Sequence, residues 1–337
     1  MPAPSRGRRY RARVPCPSTF GAALLLSAAA VFAQGPTASF ANLQRPQLGL
    51  PALPPSSGPA PTEGLFELGR RLFADPVLSI DQTVSCQTCH RPEFAFASPE
   101  PLPKGVQGKT AQVHAPTLIN RVYGTRMRWD GRTKDLDTFV LEPIADPNEM
   151  ALPLSTAVER LRADRSYTAA FGKEFADGVT TPNLATALST FVRGIVAGDA
   201  PVDRFQKGDP TALTKEQRAG LWIFESKGAC WRCHPAPLFT DDAFHTTGIG
   251  AVDQTPRPGR MAVTHDPADE GRFKTPQLRG LSRSAPYMHD GSLPTLEAVV
   301  EFYARGGNPS HNLDPALKPL SLTADEKRHL IAFLSSL

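Results

Sequence analysis

Two short segments, SCQTCH at residues 85–90 and ACWRCH at residues 229–234, constrain this 337-residue chain more than any other feature. Each contains a Cys-x-x-Cys-His unit. Together they hold four of the five cysteines, Cys86, Cys89, Cys230 and Cys233. Two thiols one helical turn apart can bond the two vinyl groups on one edge of a porphyrin. The next residue, His90 or His234, can then bind the iron. The spacing therefore predicts two covalently held haem c groups.

Other uses of paired cysteines fit this pattern less well. A zinc site requires four ligands held together, and a thioredoxin-like pair requires a βαβ setting. Two disulfides are the first expectation for an exported chain. That reading leaves unexplained why a histidine follows each cysteine pair directly.

The N-terminus has the pattern of an export signal. Five arginines precede residue 14, an apolar run covers residues 20–32, and Val31-x-Ala33 has the small-residue form of a cleavage site. We therefore predict a signal peptide at residues 1–33 and a periplasmic location in a bacterium. The alternative is an uncleaved membrane anchor, although the apolar run is shorter than the roughly 20 residues that span a bilayer.

The formal net charge of +4 belongs to this N-terminal segment. Removing its five arginines from the 37 basic residues, with none of the 33 acidic residues lost, leaves 32 against 33 and a net charge of −1. We therefore expect no nucleic-acid partner, because such a partner calls for a basic surface. After cleavage we also expect no stable membrane span.

The rest of the chain has the pattern of helices joined by long loops. Residues 34–62 are rich in proline, glycine, serine and alanine, which predicts a flexible tether. Amphipathic segments follow, and Thr214 and Thr323 begin capping-box patterns, TKEQ and TADE. Alternating strands are scarce. We expect a mainly α fold with little β, with an N-terminal haem domain at residues 63–200 and a C-terminal haem domain at residues 201–337.

Further segments stand in a fixed order around the two motifs. They are LGRRLFADPVLS, HAPTLIN, RWDGR, EPIADPNEM, LFTDDAFHTTGIG and FKTPQLRGLSRSAPYMHDGSLPTLEAVVEFYARGG. In this order, from about Leu65 to the C-terminus, the sequence resembles the bacterial di-haem cytochrome c peroxidases, including their MauG-like branch. The resemblance implies two cytochrome c-like helical domains with one haem each.

The resemblance also implies roles for three side chains. Glu149 of NEM matches the distal acid of the peroxide-reacting haem, where a carboxylate can move a proton. Trp129 of RWDGR matches a tryptophan between the haems that assists electron exchange. Tyr303 of VVEFYARGG matches the tyrosine that ligates the second haem in the MauG-like branch. Without the resemblance, the same residues would be read as a solvated acid, a core aromatic and a surface tyrosine.

A calcium ion between the domains is a further candidate cofactor. The resemblance places its ligands at position 114 and at the backbone carbonyls of Ser284 and Pro286. Relatives usually have asparagine where this chain has His114. Calcium prefers oxygen ligands, so His114 weakens the expectation of a calcium site.

The first haem is expected to keep one face of its iron open. The loop at residues 91–113 contains no histidine and no methionine that could serve as a sixth ligand. We therefore expect an exported di-haem peroxidase or oxidase that reduces hydrogen peroxide at the first haem. Its electrons would pass through the second haem from a small redox protein or from an oxidisable partner protein. The alternatives are a non-catalytic di-haem electron-transfer cytochrome and, less well supported, a haem-based sensor.

Overall fold

The computed structural model describes Met1 and residues 38–337. All of these except Met1 belong to one compact unit, Gln34–Leu337. The predicted signal peptide at residues 1–33 lies outside the described residues apart from its first. Within the described part, no helix is both long enough and apolar enough to cross a membrane.

Helices joined by long loops make up the described part of the chain. They are α1 Ala41–Gln44, α2 Glu63–Ala74, α3 Cys86–Cys89, α4 Leu136–Ala145, α5 Leu154–Ala163, α6 Arg165–Glu174, α7 Thr181–Arg193, α8 Pro201–Gln206, α9 Lys215–Glu225, α10 Met261–Thr264, α11 Leu296–Ala304 and α12 Ala324–Leu334. Two short strands, β1 Phe244–His245 and β2 Phe273–Lys274, pair antiparallel. The predicted mainly α fold with little β is confirmed.

Local sequence signals set several helix starts. The Thr214 hydroxyl accepts from Gln217 N, and the Gln217 side chain accepts from Thr214 N, which closes the predicted capping box of α9. Thr323 and Glu326 close the same box at α12. These bonds satisfy backbone N–H groups that the first helical turn leaves without partners. Both predicted capping boxes are confirmed.

Buried apolar residues form two clusters. The first is built mainly on α2 and α7, where the Phe73 and Phe191 ring centroids lie 4.8 Å apart. The second is built mainly on α9 and α12, where the Phe224 and Phe333 ring centroids lie 5.3 Å apart. The predicted boundary at residue 200 falls between the two clusters. The assignment of one haem domain to each side stays a prediction.

The same close backbone approach recurs in both helix pairs. A Cβ added to Gly69 of α2 would lie 2.0 Å from the carbonyl oxygen of Ala187 in α7. A Cβ added to Gly220 of α9 would lie 2.0 Å from the carbonyl oxygen of His329 in α12. Only glycine lets the paired backbones come this near. Each pair therefore holds its helices at the same short separation.

A loop ahead of α4 is repeated ahead of α11. The first loop closes with a bridge between Met127 and Thr133, and the second with a bridge between Tyr287 and Leu293. Each loop position in the second half lies 160 residues after its counterpart, so residue 289 corresponds to residue 129. The two halves thus share a helix pair, a haem motif and a loop.

Residues 38–62 pack against the rest of the unit, which differs from the predicted flexible tether. The Leu48 carbonyl accepts from Asp199 N at 2.8 Å, and the Pro51 carbonyl accepts from the Tyr123 hydroxyl at 3.1 Å. The Gly49 carbonyl accepts from Arg279 Nη2 at 3.2 Å. Composition marks the segment as irregular, but it does not reveal donors that distant parts of the chain supply.

Candidate functional site

The first cysteine pair occupies a single helical turn. Cys86 and Cys89 are the first and last residues of α3, whose start is held by a capping box between Ser85 and Thr88. Burial is the main cause that raises the pKa of both thiols to about 12, and the charge of Glu149 contributes to the rise. Both thiols are therefore protonated at neutral pH, and neither is joined to another in a disulfide. Addition of such a thiol to a vinyl group would form the expected thioether.

The ring of His90 has the orientation and tautomer that a metal ligand would need. Its Nδ1 lies 2.9 Å from the carbonyl oxygen of Phe96. Because a carbonyl can only accept, Nδ1 carries the proton and Nε2 keeps its lone pair. Burial lowers the pKa of His90 to about 4, so the ring is neutral. Phe96 has a positive φ of 57°, which turns this carbonyl within the loop.

The second motif repeats this arrangement. Cys230 begins a short 3₁₀ turn, Cys230–Arg232, and His234 follows Cys233. His234 Nδ1 lies 2.8 Å from the carbonyl oxygen of Phe239, whose φ is 56°. Burial lowers the pKa of His234 as well. Both histidines thus hold the same tautomer with Nε2 available.

A zinc site at the first pair is not supported. Among the described residues, the grouping that could hold a metal through His, Cys, Asp or Glu is Cys233 with Asp241 and His245. It uses one thiol of the second pair and none of the first. His245 is also held between Asp241 and Asp314, at 3.0 and 2.7 Å.

A cavity of about 490 Å³ adjoins the first motif. Its lining includes Cys86, Cys89, His90, Trp129, Pro143 and Glu149. One wall carries the residues of the covalent attachment site. Apolar side chains with three carboxylates, Asp130, Asp146 and Glu149, give the mixed lining that a large cofactor requires.

Two buried cations at this cavity fit the carboxylates of a haem. Arg121 and Lys274 both line it, and they share one anion, Asp242, at 3.6 and 3.2 Å. Within residues 38–337, Arg121 Nε is buried and has no hydrogen-bond partner. Burial, with Arg121 nearby, lowers the pKa of Lys274 to about 7 although Asp242 opposes the shift. Haem propionates would supply the missing negative charge, so these residues fit the group.

Glu149 stands in the cavity lining with one oxygen already held. Its Oε1 accepts from Arg128 Nη1 at 2.8 Å. Arg128 also donates from Nε to Glu142 Oε2 at 2.7 Å. The Glu149 side chain is 30% exposed and that of Arg128 12% exposed, so the pair lies at the cavity mouth. Sequence reasoning missed Arg128, although it directly precedes Trp129 in RWDGR.

Trp129 is buried where the two halves meet. Its Nε1 donates to the carbonyl oxygen of His114 at 2.9 Å, and its ring centroid lies 6.3 Å from that of His289. The main chain of Lys274 in β2 donates to the Trp129 carbonyl at 2.8 Å. The indole therefore borders the first cavity on one side and the second half of the chain on the other.

Tyr303 lies beside the second motif. Burial raises the pKa of its hydroxyl, and the charges of Cys230 and Cys233 also raise it. The residue 160 positions earlier, in α4 of the first half, is Pro143. Pro143 lines the first cavity, and its side chain has no donor atom that could bind iron. The two halves therefore differ at this one helix position.

Comparisons with known proteins agree with this geometry. The sequence profile of the di-haem cytochrome c peroxidases matches residues 63–211. The methylamine utilization protein MauG of Methylorubrum extorquens is 37% identical over 272 residues, which cover 80% of this chain and 77% of that protein. The cytochrome-c peroxidase IdrP2 of Denitromonas iodatirespirans is 36% identical over 316 residues, covering 86% and 84%. The chain belongs to the di-haem cytochrome c peroxidase and MauG family.

Solved structures show the same fold. A MauG-like protein associated with microbial copper homeostasis superposes with a TM-score of 0.77 at 31% identity, covering 86% of this chain and 94% of that one. The di-haem peroxidase BthA of Burkholderia thailandensis gives a TM-score of 0.70 at 22% identity. Family membership implies haem c, and the two Cys-x-x-Cys-His motifs fit two such groups.

The expected calcium site of this family member does not gain support. In the described part of the chain, the hydrogen bonds of the His114 ring go from Nδ1 toward the carbonyls of Glu100 and Pro101, both at 3.1 Å, rather than to Ser284 or Pro286. Ser284 is buried and donates its hydroxyl to the Leu281 carbonyl. At position 114 this chain therefore has an imidazole nitrogen, whereas calcium prefers an oxygen ligand there. The calcium ion stays a prediction.

Proposed function

We propose that this protein is an exported, periplasmic di-haem c-type peroxidase or oxidase that reduces hydrogen peroxide at the first haem site. Electrons reach it through the second haem site from a small redox protein or from an oxidisable partner protein. The difference between Pro143 and Tyr303 carries the proposal. At this helix position the first site has a proline, whose side chain has no donor atom, where the second has a phenol.

The residues of the first cavity suit a reaction with peroxide. Bound haem supplies the iron at which the O–O bond can be split. Arg128 engages Glu149 Oε1, and in the described part of the chain Oε2 has no hydrogen bond. Glu149 Oε2 can accept a proton from one peroxide oxygen and return it to the leaving oxygen. Apolar Phe139, Val140 and Pro143 line the same cavity and reduce the room for water inside it.

The remaining site residues connect this cavity to the second motif. His90 and His234 each present Nε2 as an iron ligand, with Nδ1 fixed on a carbonyl. Tyr303 supplies the phenol oxygen at the second site. Trp129 borders the first cavity and contacts His289 of the second half, which suits an oxidisable relay between the two sites.

The test is a spectrum of the haem-loaded ferric protein before and after stoichiometric peroxide. We expect a high-spin component that shifts on addition of cyanide or peroxide. Glu149→Gln should slow the peroxide reaction by about 10²–10⁴-fold, since it removes the proton acceptor. Glu159→Gln, at an exposed position of α5, is the matched control and should react normally.

Only low-spin signals that neither peroxide nor cyanide changes, in the ferric or the half-reduced protein, would favour the other candidate. That candidate is a non-catalytic di-haem electron-transfer cytochrome. In that outcome both irons carry six ligands and the proposed open face does not exist.

A further inference from the structure

We propose that Arg128 is a positioning residue that holds Glu149 in place over the first haem site. The inference rests on the proposed function, because it assigns Arg128 a role only through Glu149. Arg128 connects three consecutive elements of the chain: the loop ahead of α4, α4 itself and the loop that follows it.

The guanidinium bridges two carboxylates through different nitrogens. Nη1 donates to Glu149 Oε1 at 2.8 Å, and Nε donates to Glu142 Oε2 at 2.7 Å. Glu142 is fixed in turn, because the Thr133 hydroxyl donates to its Oε1. The planar fork of arginine fixes direction as well as distance. Glu149 therefore cannot rotate freely while this bridge persists.

The bridge lies where ion pairs are stronger than at an open surface. Only 12% of the Arg128 side chain is exposed, against 58% of Arg70, which forms an ordinary surface pair with Glu67. Burial works against the charge on Arg128, but Glu149 and Glu142 outweigh it and its pKa is raised. Loss of Arg128 would leave two carboxylates of one sign near the same cavity without their shared cation.

The backbone turns Arg128 toward these acids. Its φ is 65°, in the left-handed region that residues other than glycine rarely adopt. Met288, the matching residue of the second loop, has a φ of 74°. The loop geometry is thus common to both halves. The charge and its two acidic partners belong to the first half, where peroxide is proposed to react.

The experiment is a double-mutant cycle on the haem-loaded protein with Arg128→Gln, Glu149→Gln and the combined variant. Two quantities are measured: the second-order rate constant with peroxide and the affinity of the ferric protein for cyanide, whose binding as HCN also requires a proton acceptor. We expect Arg128→Gln to lower both by about tenfold or more, with the KM for the electron donor unchanged.

Because Arg128 acts through Glu149, the combined variant should be no worse than Glu149→Gln alone. If the decreases in rate constant of the two single variants multiply in the combined variant, Arg128 acts independently of Glu149 and the inference is overturned. Arg128→Lys keeps the positive charge but lacks the planar guanidinium, so it should recover part of the lost peroxide rate and cyanide affinity. If Arg128→Gln does not fold, the comparison is made with Arg128→Lys instead. Arg70→Gln is the matched control.

The two proposals fail separately. If Glu149→Gln is slow while Arg128→Gln and Arg128→Lys behave as the unmodified protein, only the role of Arg128 is wrong. If Glu149→Gln itself reacts normally with peroxide and cyanide, the acid–base assignment fails and the role of Arg128 fails with it.

Discussion

The indole ring of Trp129 lies edge-on to the imidazole ring of His289, with ring centroids 6.3 Å apart and planes at 67°. These two residues occupy the same position of the two repeated loops. His114 links them further, because its N–H donates to the His289 carbonyl at 2.8 Å and its own carbonyl accepts from Trp129 Nε1 at 2.9 Å. The two halves therefore meet here through packed aromatic rings and backbone hydrogen bonds.

Replacing Trp129 by phenylalanine should slow electron exchange between the two haems. The smaller ring keeps an apolar side chain in place but removes the readily oxidised indole and its bond to His114. We expect a rate lower by about tenfold, or about 1.4 kcal/mol in the barrier, in stopped-flow reduction of the oxidised protein. Trp222→Phe, whose indole is 69% exposed, should leave that rate unchanged. Equal rates in both variants would contradict a relay at Trp129.

Alanine at Gly69 or Gly220 should destabilise the fold. In both cases the new Cβ would lie 2.0 Å from a carbonyl oxygen of the facing helix, so the helices must separate. We expect a loss of about 1–3 kcal/mol for each variant in denaturant unfolding of the haem-loaded protein.

The matched control for these glycines is Gly172→Ala in α6. Nothing lies within 4 Å of the added Cβ there, so the helix should gain about 0.5–1 kcal/mol. A Gly69→Ala or Gly220→Ala variant as stable as Gly172→Ala would show that these helix pairs are not held at the short separation.

Removing the buried cation at Lys274 should lower the reduction potential of the first haem. A positive charge beside the propionates favours the reduced iron, and Lys274→Met removes it while keeping a long apolar stem. We expect a decrease on the order of 60 mV, one tenfold change for a one-electron couple, by spectroelectrochemical titration. Exposed Lys207→Met should not change the potential. An unchanged potential in Lys274→Met would mean that this cation does not face the haem carboxylates.

Replacing Tyr303 by phenylalanine should change the spectrum of the second haem and leave that of the first haem unaltered. The substitution removes the phenol oxygen proposed as a ligand of the second haem and leaves the partly buried ring in place. Tyr287→Phe is the control, since that hydroxyl donates to the Leu281 carbonyl. Identical absorption and electron-paramagnetic-resonance spectra in Tyr303→Phe and the unmodified protein would refute phenolate ligation.

Features carried by neighbouring residues could be predicted from the sequence. The capping boxes at Thr214 and Thr323 join groups only three residues apart, so their spacing is sufficient evidence. The haem motifs are equally local. The packing of residues 38–62 was not predictable, because it depends on donors such as Arg279, 230 residues from its acceptor at Gly49.

The sequence alone determined the two attachment motifs and the mainly helical character, because both follow from residues at short fixed spacings. The order of its segments along the chain indicated the family. Only the tertiary structure decided that Arg128 binds Glu149, 21 residues away, and that Arg121 and Lys274 meet at one cavity. Such contacts depend on which distant segments the fold brings together. Burial then strengthens the electrostatic interactions of these charges, and the order of residues in the sequence does not show which charges become buried.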